Sequence, residues 1–177
     1  MTDNLDNIDI EYMNQAIDQA RLAAANDEVP IGAVVVYGGE VIARACNRRE
    51  TDRDPAGHAE FLAMKEAARI LDAWRLSGCT VYVTLEPCIM CAGLMHQARI
   101  DRCVYGAADP KAGALGSLYA IDRDERLNHT FIVRSGVQQR ECADLLTRFF
   151  ADKREEKKRT KRIANQGEKG AGTSCIR

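Results

Sequence analysis

The chain has 177 residues, of which 46% are apolar and 29% charged, and this balance predicts one globular domain whose core needs no disulfide bonds. A net charge of −1 excludes a surface coated in basic residues, so contact with nucleic acid would require a local basic patch. Seven cysteines cannot all pair within one chain, and the acidic N-terminus lacks an apolar run, so we expect a cytoplasmic protein without a membrane segment.

The spacing of apolar residues predicts helices that alternate with strands. Apolar residues that recur every three or four positions are typical of helices, and short runs rich in β-branched residues are typical of strands. Asp9 stands where it would cap the first helix, and Gly38-Gly39 would form the two-residue turn of a β-hairpin. In chain order, the predicted elements are a helix over 10–26, strands over 31–37 and 41–46, a helix over 58–70, a strand over 80–85, a helix over 88–97, strands over 102–105 and 131–133, and a helix over 138–158.

This order of elements predicts a single α/β domain over residues 1–160, with helices covering a mixed five-stranded sheet whose strand order stays open. Two connections are polar or glycine-containing loops, over 47–57 and over 106–129, and a loop as long as the second usually carries function. The glycine-rich composition near the end predicts that residues 161–177 form a disordered tail.

Two short segments contain the residue types of a catalytic metal site. His58 opens one predicted helix, and Cys88 and Cys91 lie at the start of another, just after Pro87. A spacing of three places the two thiols on one face of the first helical turn, where the helix dipole favours thiolates. Zinc takes four ligands, so one imidazole and two thiolates would leave a fourth place for water, as in catalytic zinc sites.

Glu60 is the candidate proton carrier, because it is close to His58 in sequence and is not needed as a ligand. H-x-E followed by P-C-x-x-C is a known signature of zinc deaminases. Two alternatives stay open at this point: a thioredoxin-like redox pair, and a pair of buried thiols. The other five cysteines, expected to be structural or free, are Cys46, Cys79, Cys103, Cys142 and Cys175.

Further segments match a known family. They are residues 29–34, Asn47-Arg48, residues 54–60, residues 84–93, Gly106-Ala107, Asp109, Lys111, residues 113–118 and Asn128-His129. Through them the chain resembles the bacterial tRNA-specific adenosine deaminases across about residues 10–155. The core motifs belong to the whole cytidine deaminase-like superfamily, whereas residues 113–118 and Asn128-His129 are more particular to the tRNA branch. The resemblance implies a three-layer α/β/α fold of the cytidine deaminase type.

The resemblance also implies an activity, namely zinc-dependent hydrolytic deamination of adenosine to inosine at the wobble position of a tRNA anticodon. It implies one Zn²⁺ per subunit on His58, Cys88 and Cys91, Glu60 as proton shuttle, and a homodimer that binds the anticodon stem-loop across the subunit boundary. The residues that would contact RNA are Asn47 on the flipped base, Ala59, Val29 and Leu85 along the pocket, Asp109, Lys111 and Asn128 on flanking nucleotides, and Phe149 near the stem.

A local basic patch lies near the C-terminal end. Between Asp152 and Arg162, seven basic residues stand against three acidic ones. In the family the matching region grips the anticodon stem, whereas a helix end of this composition can also be an ordinary solvated face.

Two rival functions stay open. A deaminase of a free base or nucleotide, such as guanine or cytosine, would share the zinc site and Glu60 but would not need the basic helix end. A nucleic-acid-binding or scaffold subunit with a degenerate site would not need Glu60, because a structural zinc requires no proton shuttle.

Overall fold

A computed structural model describes residues 2–170 of the chain. Within that range, the helices and strands follow the predicted order. Their bounds are α1 Thr2–Ala25, β1 Gly32–Tyr37, β2 Glu40–Cys46, α2 Arg49–Asp52, α3 Ala59–Ile70, β3 Cys79–Leu85, α4 Ile89–Ala98, β4 Arg102–Ala107, β5 Ile132–Arg134 and α5 Gln139–Gly170. The single turn α2 lies in the loop predicted over 47–57, and a 3-10 turn, Ile121–Arg123, lies in the loop predicted over 106–129.

The five strands form one mixed sheet in the order β2-β1-β3-β4-β5. β1 pairs antiparallel with β2 and β3, whereas β3, β4 and β5 run parallel. The hairpin turn has φ of 59° at Gly38 and 85° at Gly39, and two successive positive φ values are what a type I′ turn requires. The mixed five-stranded sheet is therefore confirmed, and its strand order is now defined.

Helices cover both faces of the sheet. On one face, Met64 of α3 and Met95 of α4 pack against Val81 and Val83 of β3. On the other, residues of α1 and α5 pack against Val34, Tyr82 and Val104. Since successive side chains of a strand point to opposite faces, alternate residues of β3 supply the two cores. The three-layer α/β/α architecture is confirmed.

The prediction that Asp9 caps the first helix is wrong. α1 begins at Thr2, and Asp9 lies inside it with none of its surface exposed. Its carboxylate accepts hydrogen bonds from Arg102, Arg134 and the hydroxyl of Tyr82. A buried charge persists only when it is fully paired, so Asp9 joins α1 to β3, β4 and β5.

The last helix is longer than predicted. α5 continues to Gly170, so residues 161–170 are helical where a disordered tail was expected. The physical reason is that Lys, Arg, Glu and Ala favour helix, so the helix continues past residue 158. Residues 171–177, including Cys175, lie outside the described range. Within that range, no helix is long and apolar enough to cross a membrane.

Candidate active site

The ends of β2 and β3 bring the two predicted metal-ligating segments together. β2 leads through α2 to His58, which is the N-cap of α3, and β3 leads through Pro87 to Cys88, which is the N-cap of α4. Both N-cap residues have extended backbone angles, and neither side chain makes a capping hydrogen bond. Their side chains are therefore available for other contacts, and they meet at one end of the sheet.

The distances from His58 to the two predicted thiol ligands match those of a tetrahedral zinc site. The Sγ atoms of Cys88 and Cys91 are each 3.6 Å from Nδ1 of His58. Bond lengths of about 2.3 Å for Zn–S and 2.0–2.1 Å for Zn–N at a tetrahedral angle would separate sulfur from nitrogen by about 3.6 Å. One donor atom each from His58, Glu60, Cys88 and Cys91 lies within 4.8 Å of the others. These residues therefore fit a metal ion.

The electrostatics of the thiol pair also suit a metal. A hydrogen bond from Cys91 and then one from His58 lower the pKa of Cys88 to about 3, although burial acts in the opposite direction. The same contact with Cys88, followed by burial, raises the pKa of Cys91. Its hydrogen bond to Cys88 likewise raises the pKa of His58. The lowered pKa of Cys88 favours a thiolate, which is the form in which cysteine binds a metal.

Glu60 lies beside the predicted ligands and is almost fully buried. It is 4% exposed, and among the described residues its Oε2 has no hydrogen-bond partner. Burial raises its pKa. Residues two apart do not share a face of a regular helix, but His58 is an N-cap residue with an extended backbone. That conformation lets His58 and Glu60 reach the same site, and a carboxyl group with a raised pKa can both accept and return a proton.

A cavity of about 210 Å³ opens onto this group. It is smaller than the pockets of about 300–1,000 Å³ that hold drug-sized ligands, which suits a single base. Its lining residues are Val29, Ile31, Asn47, Arg49, His58, Glu60, Leu85, Glu86, Cys88, Asp109 and Ala112. Ala59, which follows His58 and begins α3, is fully buried and does not line the cavity. The structure therefore gathers most of the predicted pocket residues at one place.

Besides Ala59, three further predicted contact residues do not line this cavity. Lys111 is exposed beside it, and its backbone N–H donates to Asp109 at 2.9 Å. Asn128 is exposed and accepts a hydrogen bond from Arg99 at 2.9 Å. Phe149 lies on α5, in edge-to-face contact with Phe150. Any role of these three residues would involve RNA outside the base pocket.

Glu28 supports Asn47, a contact that no local sequence pattern indicates. Both residues are buried, with exposures of 1% and 3%. Nδ2 of Asn47 donates to Oε2 of Glu28 at 3.0 Å, and the backbone N–H of Thr51 donates to Oε1 at 2.6 Å. Burial favours a higher pKa for Glu28, but the hydrogen bonds from Thr51 prevail and lower it. An acidic residue after a helix end looks like ordinary loop polarity, so only the folded contacts identify it.

Glu86 holds the loop that follows β4. Its buried carboxylate accepts backbone N–H bonds from Asp109, Leu115 and Ser117 at 3.0–3.1 Å, and also the hydroxyl of Ser117. Burial acts to raise its pKa, but these bonds lower it. A Cβ atom at Gly113 would lie 2.3 Å from the Glu86 carboxyl carbon, so only glycine fits there. The position of Glu86 just before Pro87-Cys88 was the one sequence signal of its importance.

Comparison with known proteins places the fold and the site in a family. Residues 7–154 match the family model of the MafB19-like deaminases. The tRNA-specific adenosine deaminase of Bacillus subtilis is 50% identical over 147 residues, which cover 83% of this chain and 91% of the relative. The tRNA-specific adenosine deaminase of Haemophilus influenzae is 43% identical over 151 residues, covering 85% of this chain and 87% of the relative.

Solved structures agree with this placement. One from a study of A-to-I editing by tRNA:A34 deaminases at the wobble position of transfer RNA is 44% identical, with a TM-score of 0.74, and covers 77% of this chain and 99% of its own. A guanine deaminase from Nitrosomonas europaea is 26% identical, with a TM-score of 0.68, and covers 80% and 84%. With its H-x-E and P-C-x-x-C segments joined at one cavity, the chain belongs to the tRNA-specific adenosine deaminases, a family of hydrolytic deaminases with the cytidine deaminase-like fold.

Proposed function

We propose that this protein converts adenosine to inosine at the wobble position of a tRNA anticodon, with one Zn²⁺ per subunit held by His58, Cys88 and Cys91. The observation that carries the proposal is the pair of 3.6 Å contacts from His58 to the two sulfur atoms, with the buried Glu60 beside them. Relatives at 41–50% identity are tRNA-specific adenosine deaminases, which supports this choice of substrate.

The residues divide the chemistry between them. Zinc held by His58, Cys88 and Cys91 would leave a place for water and would lower the pKa of that water. Glu60 would accept a proton from the water through its free Oε2 as the water oxygen bonds to C6 of adenine. It would deliver a proton to the amino nitrogen as the C6–N bond breaks and ammonia leaves. Its burial favours this cycle, since a carboxyl group with a raised pKa is nearer to the pH at which it must exchange protons.

The cavity is suited to a base that has left its stack. An adenine within a helix cannot reach an atom at the bottom of a pocket, whereas a base in a single-stranded loop can be flipped into it. We assign Asn47 to hydrogen bonding with that base, and Val29, Leu85 and the backbone of Ala59 to the pocket wall. Asp109 lines the mouth, where it and Lys111 would meet the flanking nucleotides.

The remaining proposed RNA contacts involve residues that do not line the cavity. We assign Asn128 to a flanking nucleotide and Phe149 with the basic part of α5 to the anticodon stem. We propose a homodimer that binds the loop across the subunit boundary, so that residues outside the cavity lining can also contact the RNA. In α5, Lys153 and Lys158 are engaged by acidic neighbours. The attraction to phosphate therefore falls mainly to four other exposed residues, Arg154, Lys157, Arg159 and Lys161. The six free thiols among the described residues fit a reducing cytoplasm.

A substrate panel tests the proposal. The zinc-loaded protein is incubated with an anticodon stem-loop RNA carrying a wobble adenosine, and separately with adenosine, guanine and cytosine, and inosine and ammonia are measured. Inosine in the RNA, with the free compounds unchanged, is the expected result. The structural likeness to a guanine deaminase makes a free base the specific alternative. Ammonia from a free base, with the RNA unchanged, would overturn the tRNA assignment and leave the deaminase chemistry in place.

A further inference from the structure

We propose that Glu28 is a positioning residue that fixes the side-chain amide of Asn47, so that Oδ1 of Asn47 presents a hydrogen-bond acceptor to the substrate. The inference rests on the proposed function, because it states that the nucleoside pocket offers the substrate a hydrogen-bond acceptor at Asn47. It concerns a residue outside the metal site and outside the cavity lining.

The first step of the argument is that the two oxygens of Glu28 have separate partners. Oε1 accepts the backbone N–H of Thr51 at 2.6 Å, which ties the carboxylate to α2. Oε2 accepts Nδ2 of Asn47 at 3.0 Å. Since Glu28 is 1% exposed, water does not compete for these bonds. The carboxylate is therefore held on one side by the backbone and acts on Asn47 with the other.

The second step concerns the direction of the Asn47 amide. An ionised carboxylate accepts hydrogen bonds and has none to donate, so only the Nδ2 end of the amide can face Glu28. The opposite end carries Oδ1, and Asn47 is one of the residues that line the cavity. No side chain or backbone N–H among the described residues donates to this oxygen. The geometry therefore leaves Oδ1 as an acceptor for an N–H or O–H of the bound nucleoside.

Replacing Glu28 by glutamine makes this direction testable. In Glu28→Gln, Oε1 can still accept the Thr51 N–H, but the group that faces Asn47 becomes an NH2 donor. Asn47 would satisfy that donor by turning its amide, and Nδ2 would then face the substrate instead of Oδ1. A donor would meet a donor, with the loss of one hydrogen bond, and we expect KM for the stem-loop RNA to rise roughly tenfold. The value of kcat should change much less, since zinc and Glu60 are untouched.

A charge-conserving double variant separates positioning from packing. In Glu28→Gln/Asn47→Asp, the glutamine NH2 donates to one carboxylate oxygen and the other oxygen faces the cavity as an acceptor. We expect its KM to lie closer to that of the unsubstituted protein than the KM of Glu28→Gln does. Asn47→Asp alone puts two carboxylates in contact and should be worse than the double variant. Glu50→Gln is the control, because it removes an exposed charge from the same turn and should leave KM unchanged.

Two RNAs show whether the ribose hydroxyl or a base N–H donates the hydrogen bond to Oδ1 of Asn47. A stem-loop with 2′-deoxyadenosine at the wobble position lacks the ribose hydroxyl but keeps the base amine. If Oδ1 accepts the hydroxyl, the deoxy substrate already has a raised KM and Glu28→Gln raises it no further. If Oδ1 accepts a base N–H, Glu28→Gln raises KM equally for both RNAs. Either pattern supports an acceptor in the cavity.

A measurement without substrate keeps this inference separate from the proposed function. In the zinc-loaded protein, the Asn47 NH2 signal in a ¹⁵N–¹H NMR spectrum should exchange slowly with solvent, and exchange should become faster in Glu28→Gln. Inactivity of the unsubstituted protein on RNA would contradict the proposed function alone. The positioning role of Glu28 would be overturned by unchanged KM and exchange in Glu28→Gln, or by a double variant no better than that single variant.

Discussion

Replacing Glu86 by glutamine should loosen the loop that forms one side of the cavity. Each carboxylate oxygen of Glu86 accepts two hydrogen bonds: Oε1 from the backbone of Leu115 and Ser117, and Oε2 from the backbone of Asp109 and the hydroxyl of Ser117. Glutamine keeps only one acceptor oxygen. Its NH2 group would take the place of the other oxygen and would face the two donors that had bonded to it. Glu86→Gln therefore removes two bonds to a charged group and leaves buried donors unpaired.

The expected cost follows from these contacts. Hydrogen bonds to a charged group contribute about 1.5–3 kcal/mol each, and the loss of two of them, eased by local relaxation, should lower the free energy of unfolding by about 2–4 kcal/mol. Urea denaturation of the zinc-loaded protein measures this change. Because Asp109 lies on the loosened loop and lines the cavity, KM for the stem-loop RNA should rise as well.

Ser117→Ala is the matched control for Glu86→Gln. It removes only the hydroxyl bond and leaves the three backbone bonds, so we expect a loss of about 1 kcal/mol. The bound zinc should stay equal in both variants, since the three ligands are unchanged. A Glu86→Gln variant with the denaturation midpoint of the unsubstituted protein would refute the idea that this carboxylate holds the loop.

Three further predictions address the proton shuttle, the basic helix and stability in acid. Glu60→Ala should keep its fold and its zinc, measured by elemental analysis, and lose at least about 10²–10⁴-fold in turnover; a near-normal rate would remove Glu60 from the mechanism. Truncation after Phe150 should weaken RNA binding and flatten its dependence on salt at constant zinc content, and an unchanged salt slope would make the end of α5 an ordinary solvated surface. Burial acts to raise the pKa of Asp9, but bonds from Arg102, Tyr82 and Arg134 lower it below 3.8. Ionised Asp9 should therefore stabilise the fold fully above pH 3.8, its ordinary pKa, and this stabilisation should disappear as the pH falls through the lowered pKa of the folded state. The urea midpoints of Asp9→Asn and the unsubstituted protein should thus differ at about pH 7 and converge in acid.

Local patterns predicted the secondary structure well. The strand over 102–105 is β4, Arg102–Ala107, and the helix over 88–97 is α4, Ile89–Ala98. These segments alternate or repeat apolar residues within a few positions, so their signal is local. Asp9 shows the limit of such reasoning, because its partners Arg102 and Arg134 are 93 and 125 positions away. A capping residue and a buried ion-pair residue have the same local sequence signal.

The residues of the candidate site also divide into those that a local sequence pattern indicates and those that only the fold reveals. His58, Glu60, Cys88 and Cys91 were found because each pair is local and carries the chemistry in its residue types. The supporting residues were not: Glu28 acts on Asn47 across 19 positions, and Glu86 acts on Ser117 across 31. No local sequence pattern marks a carboxylate that holds a loop or an amide, because only the fold brings such a residue to its partners. The roles assigned to all of these site residues, and to Lys111, Asn128 and Phe149, stay predictions.

The most direct test of the central claim is the position of inosine in the product RNA. A complete tRNA with adenosine at the wobble position is incubated with the zinc-loaded protein and with Glu60→Ala, and inosine is located by sequencing and by mass. We predict inosine at the wobble position alone, formed by the unsubstituted protein and not by Glu60→Ala. Inosine formed equally by both proteins, or a tRNA that stays unmodified while a free base is deaminated, would contradict the account.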